Sequence, residues 1–177
     1  MARRKRAPLE SGPEKLARFP IFAGMSPAQL RRLWSIVELA QCPPGEVIVQ
    51  EGERGDAMYL VLEGEVEVTK ALTLMVARGS LDTRDKALDR LSADQAPFFG
   101  EMALLGDSHE RTATVRTLTS CTLAVLRRGQ CMALCQEDPL LGFLLMRNIA
   151  STLATRLDKA NKDILKLTTA FSLALQE

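Results

Sequence analysis

Hydrophobic residues recur at two different spacings in two parts of this chain. The first spacing indicates β-strands. Between about residues 46 and 128, short aliphatic runs such as "EVIVQEG", "AMYLVLEG" and "EVEVTK" are separated by glycine-containing turns. The alternation of valine with glutamate in the last run is typical of a strand with one face in water. "TATVRTLTSCTLAVLRR" (112–128) predicts two more strands, with Ser120 near the turn between them. Many short strands at this spacing predict an antiparallel sandwich or roll.

Helical patterns flank the predicted strands. "MSPAQLRRLWSIVELAQ" (25–41) predicts a helix with Ser26 as its N-cap and Pro27 in its first turn, and "CPPGE" ends it. "GQCMALCQED" predicts a short helix that stops near Pro139, where a new helix can begin. We therefore expect a mainly β fold with flanking helices: an antiparallel, jelly-roll-like β-roll with an N-terminal helix and a long C-terminal helix.

The C-terminal helix, which is predicted to extend from Leu140 to about Leu175, has an apolar seam. Seven apolar residues follow one another at steps of four and three: Leu153, Leu157, Ala160, Ile164, Leu167, Phe171 and Ala174. A heptad seam of this length is typical of a helix that pairs with another helix. We expect a homodimer through parallel helices; the alternative is that the helix folds back on its own domain.

The chain divides into three predicted parts: a flexible basic leader (1–18), a β-roll domain (19–135) and C-terminal helices (136–177). The leader contains "RRKR" at residues 3–6, which we interpret as a solvated, mobile tail. Residues 71–95 are the least readable part. "ALTLMVARG" can continue a strand, "SLDTRD" is typical of a turn or loop, and "KALDRLSADQ" fits either a strand or a short helix.

Composition limits the function. The 177 residues are 46% apolar and 25% charged with a net charge of +1, which gives no general argument for binding nucleic acid or acidic lipid. No apolar run reaches the about 18 residues of a membrane helix, and the basic start lacks a signal-peptide core, so we expect a cytoplasmic protein. A single histidine argues against metal-dependent and His-assisted catalysis, so we expect neither a metal, nor a cofactor, nor an enzyme.

The stretch "FFGEMALLGDSHERTATV" (98–115) is the candidate binding loop. Gly100 lacks a Cβ and lets a ligand approach the backbone, while "EMALL" can form a helical turn with free amide groups. Arg111 presents a planar fork that can bind two phosphate oxygens. Glu101 would repel that phosphate unless it accepted a hydrogen bond from a neutral hydroxyl beside it, such as a ribose 2′-OH.

This loop resembles the phosphate-binding cassette of the cyclic-nucleotide-binding domain family. The similarity covers about residues 19–135, because "PIFAGMSPAQLRRL", "PPGEVIVQEGERGDAMYLVLEGEVEV" and the cassette occur in the family's order. The resemblance implies that Glu101 binds the ribose 2′-OH and Arg111 the exocyclic phosphate oxygens. It also implies that backbone groups of Gly100, Met102 and Ala103 complete the cradle.

Two further positions concern which purine base the cyclic nucleotide carries. Thr112 stands where the family has Ser, Thr or Ala, and a threonine there can also reach a guanine amino group. We place cAMP first and cGMP second. "ATRLDKAN" is similar to a family dimerisation helix in which two residues touch the base; the corresponding positions here are Ala160 and Asn161. Only Asn161 can form side-chain hydrogen bonds, so it is the candidate for base contact.

The remaining predictions concern the output of the domain. The sequence ends at Glu177 without room for a helix-turn-helix unit, so we expect no DNA partner. We therefore predict a cyclic-nucleotide sensor without an attached output domain, which is either a stand-alone regulator that acts on an unidentified partner protein or the ligand-sensing piece of something larger. The alternative is a degenerate domain in which Glu101 pairs with Arg111 and the fold serves as a ligand-independent dimerisation or interaction module.

Overall fold

The computed structural model describes residues 3–6, 12–76, 80–105 and 110–175, in which nine strands and five α-helices are found. The strands are β1 (Arg3–Arg6), β2 (Glu38–Cys42), β3 (Val47–Val49), β4 (Ala57–Glu63), β5 (Glu65–Val76), β6 (Ser80–Ser92), β7 (Phe98–Phe99), β8 (Thr114–Thr117) and β9 (Cys121–Arg127). The helices are α1 (Pro13–Leu16), α2 (Pro27–Ser35), α3 (Met102–Leu105), α4 (Arg128–Glu137) and α5 (Pro139–Ala174), and single 3-10 turns lie at Pro20–Phe22 and Ala93–Gln95.

The strands form two sheets, with the orders β1-β2-β9-β4-β7 and β3-β8-β5-β6. Every strand pair of the described residues is antiparallel. The predicted antiparallel β-roll with flanking helices is confirmed. The two strands predicted on either side of Ser120 are β8 and β9.

Strands β4 and β9 lie between two cores. Successive side chains of a strand point to opposite faces. In β4, Met58 and Leu60 join the core under the helices, whereas Tyr59 and Val61 join the core between the sheets. Both faces are therefore buried, which explains why "AMYLVLEG" is almost continuously apolar instead of alternating.

The N-terminal helix begins as predicted and ends earlier. Ser26 and Gln29 form a reciprocal capping box, and Pro27 occupies the first turn of α2. The helix stops at Ser35, and "ELAQC" (38–42) forms strand β2, so the prediction of one helix through Gln41 was wrong. The reason is tertiary: β2 pairs with β9 on one side and β1 on the other, and these backbone hydrogen bonds outweigh a local helical pattern.

The expected flexible leader contains structured residues. Strand β1 pairs with β2 in the register Arg3↔Gln41 to Arg6↔Glu38. Leu16 on α1 is fully buried, and Arg18 donates to the carbonyl of Val61 at 3.1 Å. These residues therefore belong to the fold, because pairing with β2 holds β1 and the burial of Leu16 holds α1.

Residues 71–95 extend a hairpin. Strands β5 and β6 pair from Glu65↔Ser92 to Val76↔Ser80, so "ALTLMV" continues a strand as predicted. "SLDTRD" (80–85) lies in β6, and its interpretation as a turn or loop was wrong. "KALDRLSADQ" is a strand to Ser92, followed by a 3-10 turn. Backbone pairing with β5 stabilises this polar segment as a strand. The residues of the segment alone do not indicate a strand.

The C-terminal helices have the predicted boundaries. Asp138 ends α4 and caps α5 by accepting a hydrogen bond from the Leu141 amide at 3.0 Å. The first turns of α5 are held by buried Leu141, Leu145 and Ile149. Farther along the helix the seam residues are exposed to solvent, Leu157 by 62% and Phe171 by 66%. The helix therefore does not fold back on its own domain there. None of the described helices has the length and apolarity that a membrane span requires.

Candidate functional site

A cavity of about 490 Å³ lies between the roll, α3 and the middle of α5. Six of the seven predicted site residues line it: Gly100, Glu101, Met102, Ala103, Arg111 and Thr112. Asn161 is not among the lining residues, whereas its neighbour Ala160 is. The tip of the loop, which carries His109, lies outside the described residues. The cavity falls within the usual size of small-molecule sites, about 300–1,000 Å³.

Gly100 joins β7 to α3 with a φ of 77°, a conformation that side chains rarely adopt. A Cβ at this position would lie 2.7 Å from Nη1 of Arg111 and 3.0 Å from the carbonyl oxygen of Ala57. Both the backbone angle and the nearby guanidinium therefore require glycine. The group that lies beside this glycine is the arginine of the site itself, and the approach of a ligand to the Gly100 backbone stays a prediction.

Arg111 is fixed from several directions. Its Nη2 donates to the carbonyl of Ala57 at 2.8 Å, and its guanidinium lies 5.8 Å from the centroid of the Tyr59 ring. Tyr59 in turn stacks on Phe99, with the ring centroids 5.1 Å apart. The backbone amide of Arg111 donates to the carbonyl of Glu53 at 2.8 Å. A guanidinium has five N–H donors, so several remain for a ligand.

The turn "GERGD" (52–56) supports Arg111, a role that the sequence analysis did not assign. The Gly52 amide donates to the Arg111 carbonyl at 2.9 Å. A Cβ on Gly55 would overlap the Arg111 guanidinium, so this glycine leaves room for the side chain. The two glycines of this turn are visible in the sequence, but they are equally typical of an ordinary connection between two strands.

Glu101 is 5% exposed and pairs with Arg156 of α5, not with Arg111. The distance from Nη1 of Arg156 to Oε1 of Glu101 is 2.7 Å. Nη2 of Arg156 donates to the Phe98 carbonyl at 3.0 Å, and its guanidinium lies 4.9 Å from the Phe98 ring centroid. The Glu101–Arg111 pair expected of a degenerate domain is absent among the described residues. Arg156 was missed because the sequence shows it only as one of several charges on the polar face of a long helix.

The amides around α3 are partly engaged. The Ala103 amide donates to the Gly100 carbonyl at 3.1 Å, and the Leu104 amide donates to the Glu101 carbonyl at 2.9 Å. The predicted helical turn is present as α3. The amides of Glu101 and Met102 lie at the start of this turn, before those of Ala103 and Leu104.

The cavity has a charged part and an apolar part. Arg111, Glu101 and Arg156 are held by the contacts described above, and the other charged residues of the lining are Asp89, Glu110, Lys159 and Asp163. Much of the remaining wall is aliphatic or aromatic and includes Val49, Val68, Leu91 and Val115. Such a cavity suits a ligand that joins an anionic, hydroxylated end to a flat apolar body.

Residues 39–138, more than half of the chain, match the family model described as the cyclic nucleotide-binding domain. The chain is 30% identical over 145 residues to the cyclic AMP receptor protein of Thermus thermophilus, covering 82% of this chain and 60% of that protein. It is 31% identical over 124 residues to a putative potassium channel protein of Rhodopseudomonas palustris, covering 70% of this chain and 27% of the channel. It thus spans about a quarter to three fifths of these two relatives.

Solved structures give the same result. The crystal structure of the Thermus thermophilus catabolite activator protein superposes with a TM-score of 0.68 at 30% identity, covering 84% of this chain and 63% of that one. A cyclic nucleotide-binding domain from Methylobacillus flagellatus superposes with a TM-score of 0.67 at 25% identity, covering 86% of this chain and 79% of that one.

Proposed function

This chain belongs to the cyclic nucleotide-binding domain family, and we propose that it binds a cyclic purine nucleotide, cAMP or cGMP, as a sensor. The observation that supports this most is that Gly100, Glu101 and Arg111 line one cavity. Arg111 keeps donors beyond those used by protein carbonyls, and Glu101 is not consumed by an ion pair with Arg111.

The phosphate is assigned to Arg111. A cyclic phosphodiester has two exocyclic oxygens and one negative charge, which the planar guanidinium can bind through parallel N–H donors. The contacts with Ala57 and Tyr59 hold the guanidinium in place before the ligand arrives, so little side-chain entropy is lost on binding. Early amides of α3 supply further donors.

The ribose is assigned to Glu101. One of its carboxylate oxygens accepts from Arg156, which leaves acceptor capacity for a 2′-hydroxyl. Because Arg156 belongs to α5, a ligand that changes the Glu101–Arg156 contact also changes how α5 is held. Binding is thereby linked to the helix that presents the exposed seam.

The proposed output is a population shift in the packing of the C-terminal helices. Leu104 of α3 shares one core cluster with Cys131 of α4 and with Leu141 and Leu145 of α5. Ordering of α3 around the phosphate is therefore transmitted to both helices. We propose that two copies pair along the seam and that the nucleotide shifts the geometry of this dimer, which a partner protein reads.

Isothermal titration of the wild type and Arg111→Ala with cAMP and with cGMP tests the site. Loss of the charge partner of a buried phosphate should weaken binding by about 2–5 kcal/mol, roughly 30-fold to several thousand-fold. Arg111→Lys keeps the charge but loses the fork and should fall between them. Arg116→Ala, which removes an exposed arginine of β8 that donates to the Gly45 carbonyl, is the matched control and should bind as the wild type does.

Equal binding by wild type and Arg111→Ala would overturn the site assignment. A second candidate function is a ligand-independent interaction module, and the ion pair that already engages the buried Glu101 carboxylate with Arg156 favours it. A folded wild-type protein that gives no binding signal with either nucleotide, yet still self-associates, would select that function instead.

A further inference from the structure

Cys42 and Cys121 face each other across two neighbouring strands. Cys42 is the last residue of β2, Cys121 is the first residue of β9, and the two are direct partners in the antiparallel register. Opposite residues of such a pair project to the same face of the sheet. Both side chains accordingly belong to the core between the sheets, where they are 4% and 3% exposed. All four cysteines of the chain are thiols in the structure.

The backbone at this pair meets the geometric requirement of a disulfide. Directly opposite Cα atoms lie about 4.5–5.5 Å apart, and a disulfide joins Cα atoms that are about 4.4–6.8 Å apart. Opposite Cβ atoms lie about 4.5–5.5 Å apart, so they must approach by about 1 Å to reach the spacing of a disulfide. The pairing of β2 with β9 ends at these two residues, and the register between β4 and β9 shifts between Val61 and Glu63. The strand ends can therefore make this small movement.

A second cavity, of about 360 Å³, lies at this end of the roll and is lined by both cysteines. It has room for a molecule of the size of water or hydrogen peroxide. The charged group of its lining is the carboxylate of Glu63, which disfavours anionic oxidants such as glutathione disulfide and favours an uncharged hydroperoxide. Neither cysteine is among the described residues that line the cavity beside Arg111, so this second site is separate from the proposed nucleotide site.

The surroundings of Cys121 stabilise the thiol and also tolerate its loss. Sγ of Cys121 donates to the Glu65 carbonyl at 3.2 Å, and the same carbonyl accepts from the Leu118 amide at 2.8 Å. Loss of the thiol proton therefore leaves this carbonyl with a donor. Burial raises the pKa of Cys121, which keeps the side chain protonated at neutral pH and makes the dithiol the resting state.

We propose that Cys42 and Cys121 are a redox modification site, at which a hydroperoxide converts the dithiol into an intrachain disulfide that joins β2 to β9. One thiolate attacks a peroxide oxygen; the O–O bond breaks, a sulfenic acid forms, and the released hydroxide takes up the thiol proton as water. The second thiol attacks the sulfenic sulfur; the S–S bond forms and a second water leaves. Two sulfur atoms are thus oxidised as the peroxide accepts two electrons. The disulfide closes a loop from residue 42 to residue 121, which contains the candidate binding loop.

Peptide mapping of the wild-type chain tests the cross-link directly. The protein is treated with hydrogen peroxide, alkylated without reduction, digested and analysed by mass spectrometry. We expect one pair of cross-linked peptides, which contain Cys42 and Cys121 and separate after treatment with dithiothreitol. A cross-link between any other two cysteines, or the absence of the expected one after the half-buried Cys135 has been oxidised, would overturn the proposal. No nucleotide is added, so the result is independent of the proposed function.

Thermal denaturation of the oxidised and reduced protein measures the consequence. Closing a long loop restricts the unfolded chain, so oxidation should raise the melting temperature of the wild type by roughly 5–15 °C. Cys42→Ser and Cys121→Ser should each abolish this rise. Cys135→Ser, which changes a cysteine of α4, is the matched control and should keep both the cross-link and the rise. A rise that survives Cys42→Ser, or that is lost in Cys135→Ser, would refute the assignment, and the wild-type mapping decides it if a site variant does not fold.

Discussion

Glu101 and Arg156 show how single residues connect the pocket to the C-terminal helix. The carboxylate is almost fully buried, and its cation comes from a residue 55 positions later in the chain. A buried carboxylate without a partner is costly, so this contact contributes to the stability of the fold as well as to the site. The side chain of Arg156 is 45% exposed, which moderates the contribution.

Arg156→Gln should lower the free energy of unfolding by about 1–3 kcal/mol, because the Glu101 carboxylate loses a charge-assisted hydrogen bond. Urea denaturation measures this change, and the m-value should stay the same. Lys162→Gln breaks an exposed i,i+4 pair with Asp158 and should change stability by less than about 0.5 kcal/mol. Equal losses in the two variants would show that the Glu101 contact adds nothing beyond a surface pair.

Among the elements, the junction of α4 with α5 is held by Asp138. Its carboxylate accepts from the Leu141 amide and also lies 3.3 Å from Nη1 of Arg32 on α2. The hydrogen bond from the Leu141 amide is the main cause that lowers the pKa of Asp138 below its usual value, with Gln29 and Arg32 lowering it further. One carboxylate thus caps a long helix and ties it to the N-terminal helix.

Asp138→Ala should lower the melting temperature at neutral pH, and Asp138→Asn, which can still cap, should lower it less. A folded-state pKa below the unfolded value gives stability that is complete above the unfolded pKa of about 3.9 and is lost as the pH falls through the folded pKa. The difference between wild type and Asp138→Ala should therefore persist from pH 7 to about pH 5 and shrink below about pH 4. Thermal denaturation followed by circular dichroism across this range measures it; a difference that does not change with pH would show that the carboxylate charge has no part.

At the scale of the whole molecule, α5 is longer than the roll that it packs against. Its first turns are buried in the core, its middle lines the cavity, and its last turns expose a row of large apolar side chains. The exposed seam residues are Leu157, Ile164, Leu167 and Phe171. A contiguous apolar surface of this kind typically marks an interaction site. The heptad spacing favours a second copy of the same helix.

Leu157→Lys combined with Ile164→Lys should convert a dimer into a monomer, because two charges in the seam cannot be buried against a partner helix. Multi-angle light scattering gives the mass of each variant. Leu165→Lys, which changes an equally exposed leucine outside the seam, is the matched control and should remain dimeric. A monomeric wild type would refute the dimer directly.

Local patterns in the sequence determined much of the fold and part of the site. Alternating and continuous apolar runs predicted the strands of the roll, the Ser26 cap and Pro27 predicted the start of α2, and the seam spacing predicted α5. The spacing of Gly100, Glu101 and Arg111 identified the loop whose residues line the cavity. These features depend on residues close in the chain, whose physical preferences can be recognised without the rest of the molecule.

Tertiary structure alone decided the remainder, since it depends on pairings between distant residues. Residues 38–42 became a strand because β1 and β9 offered backbone partners, and residues 80–92 did so because β5 lay opposite. The pairing of Glu101 with Arg156, instead of Arg111, arose because α5 crosses the mouth of the cavity. Backbone hydrogen bonding and burial of charge are satisfied by whichever partners the fold brings near, and sequence separation carries no information about them.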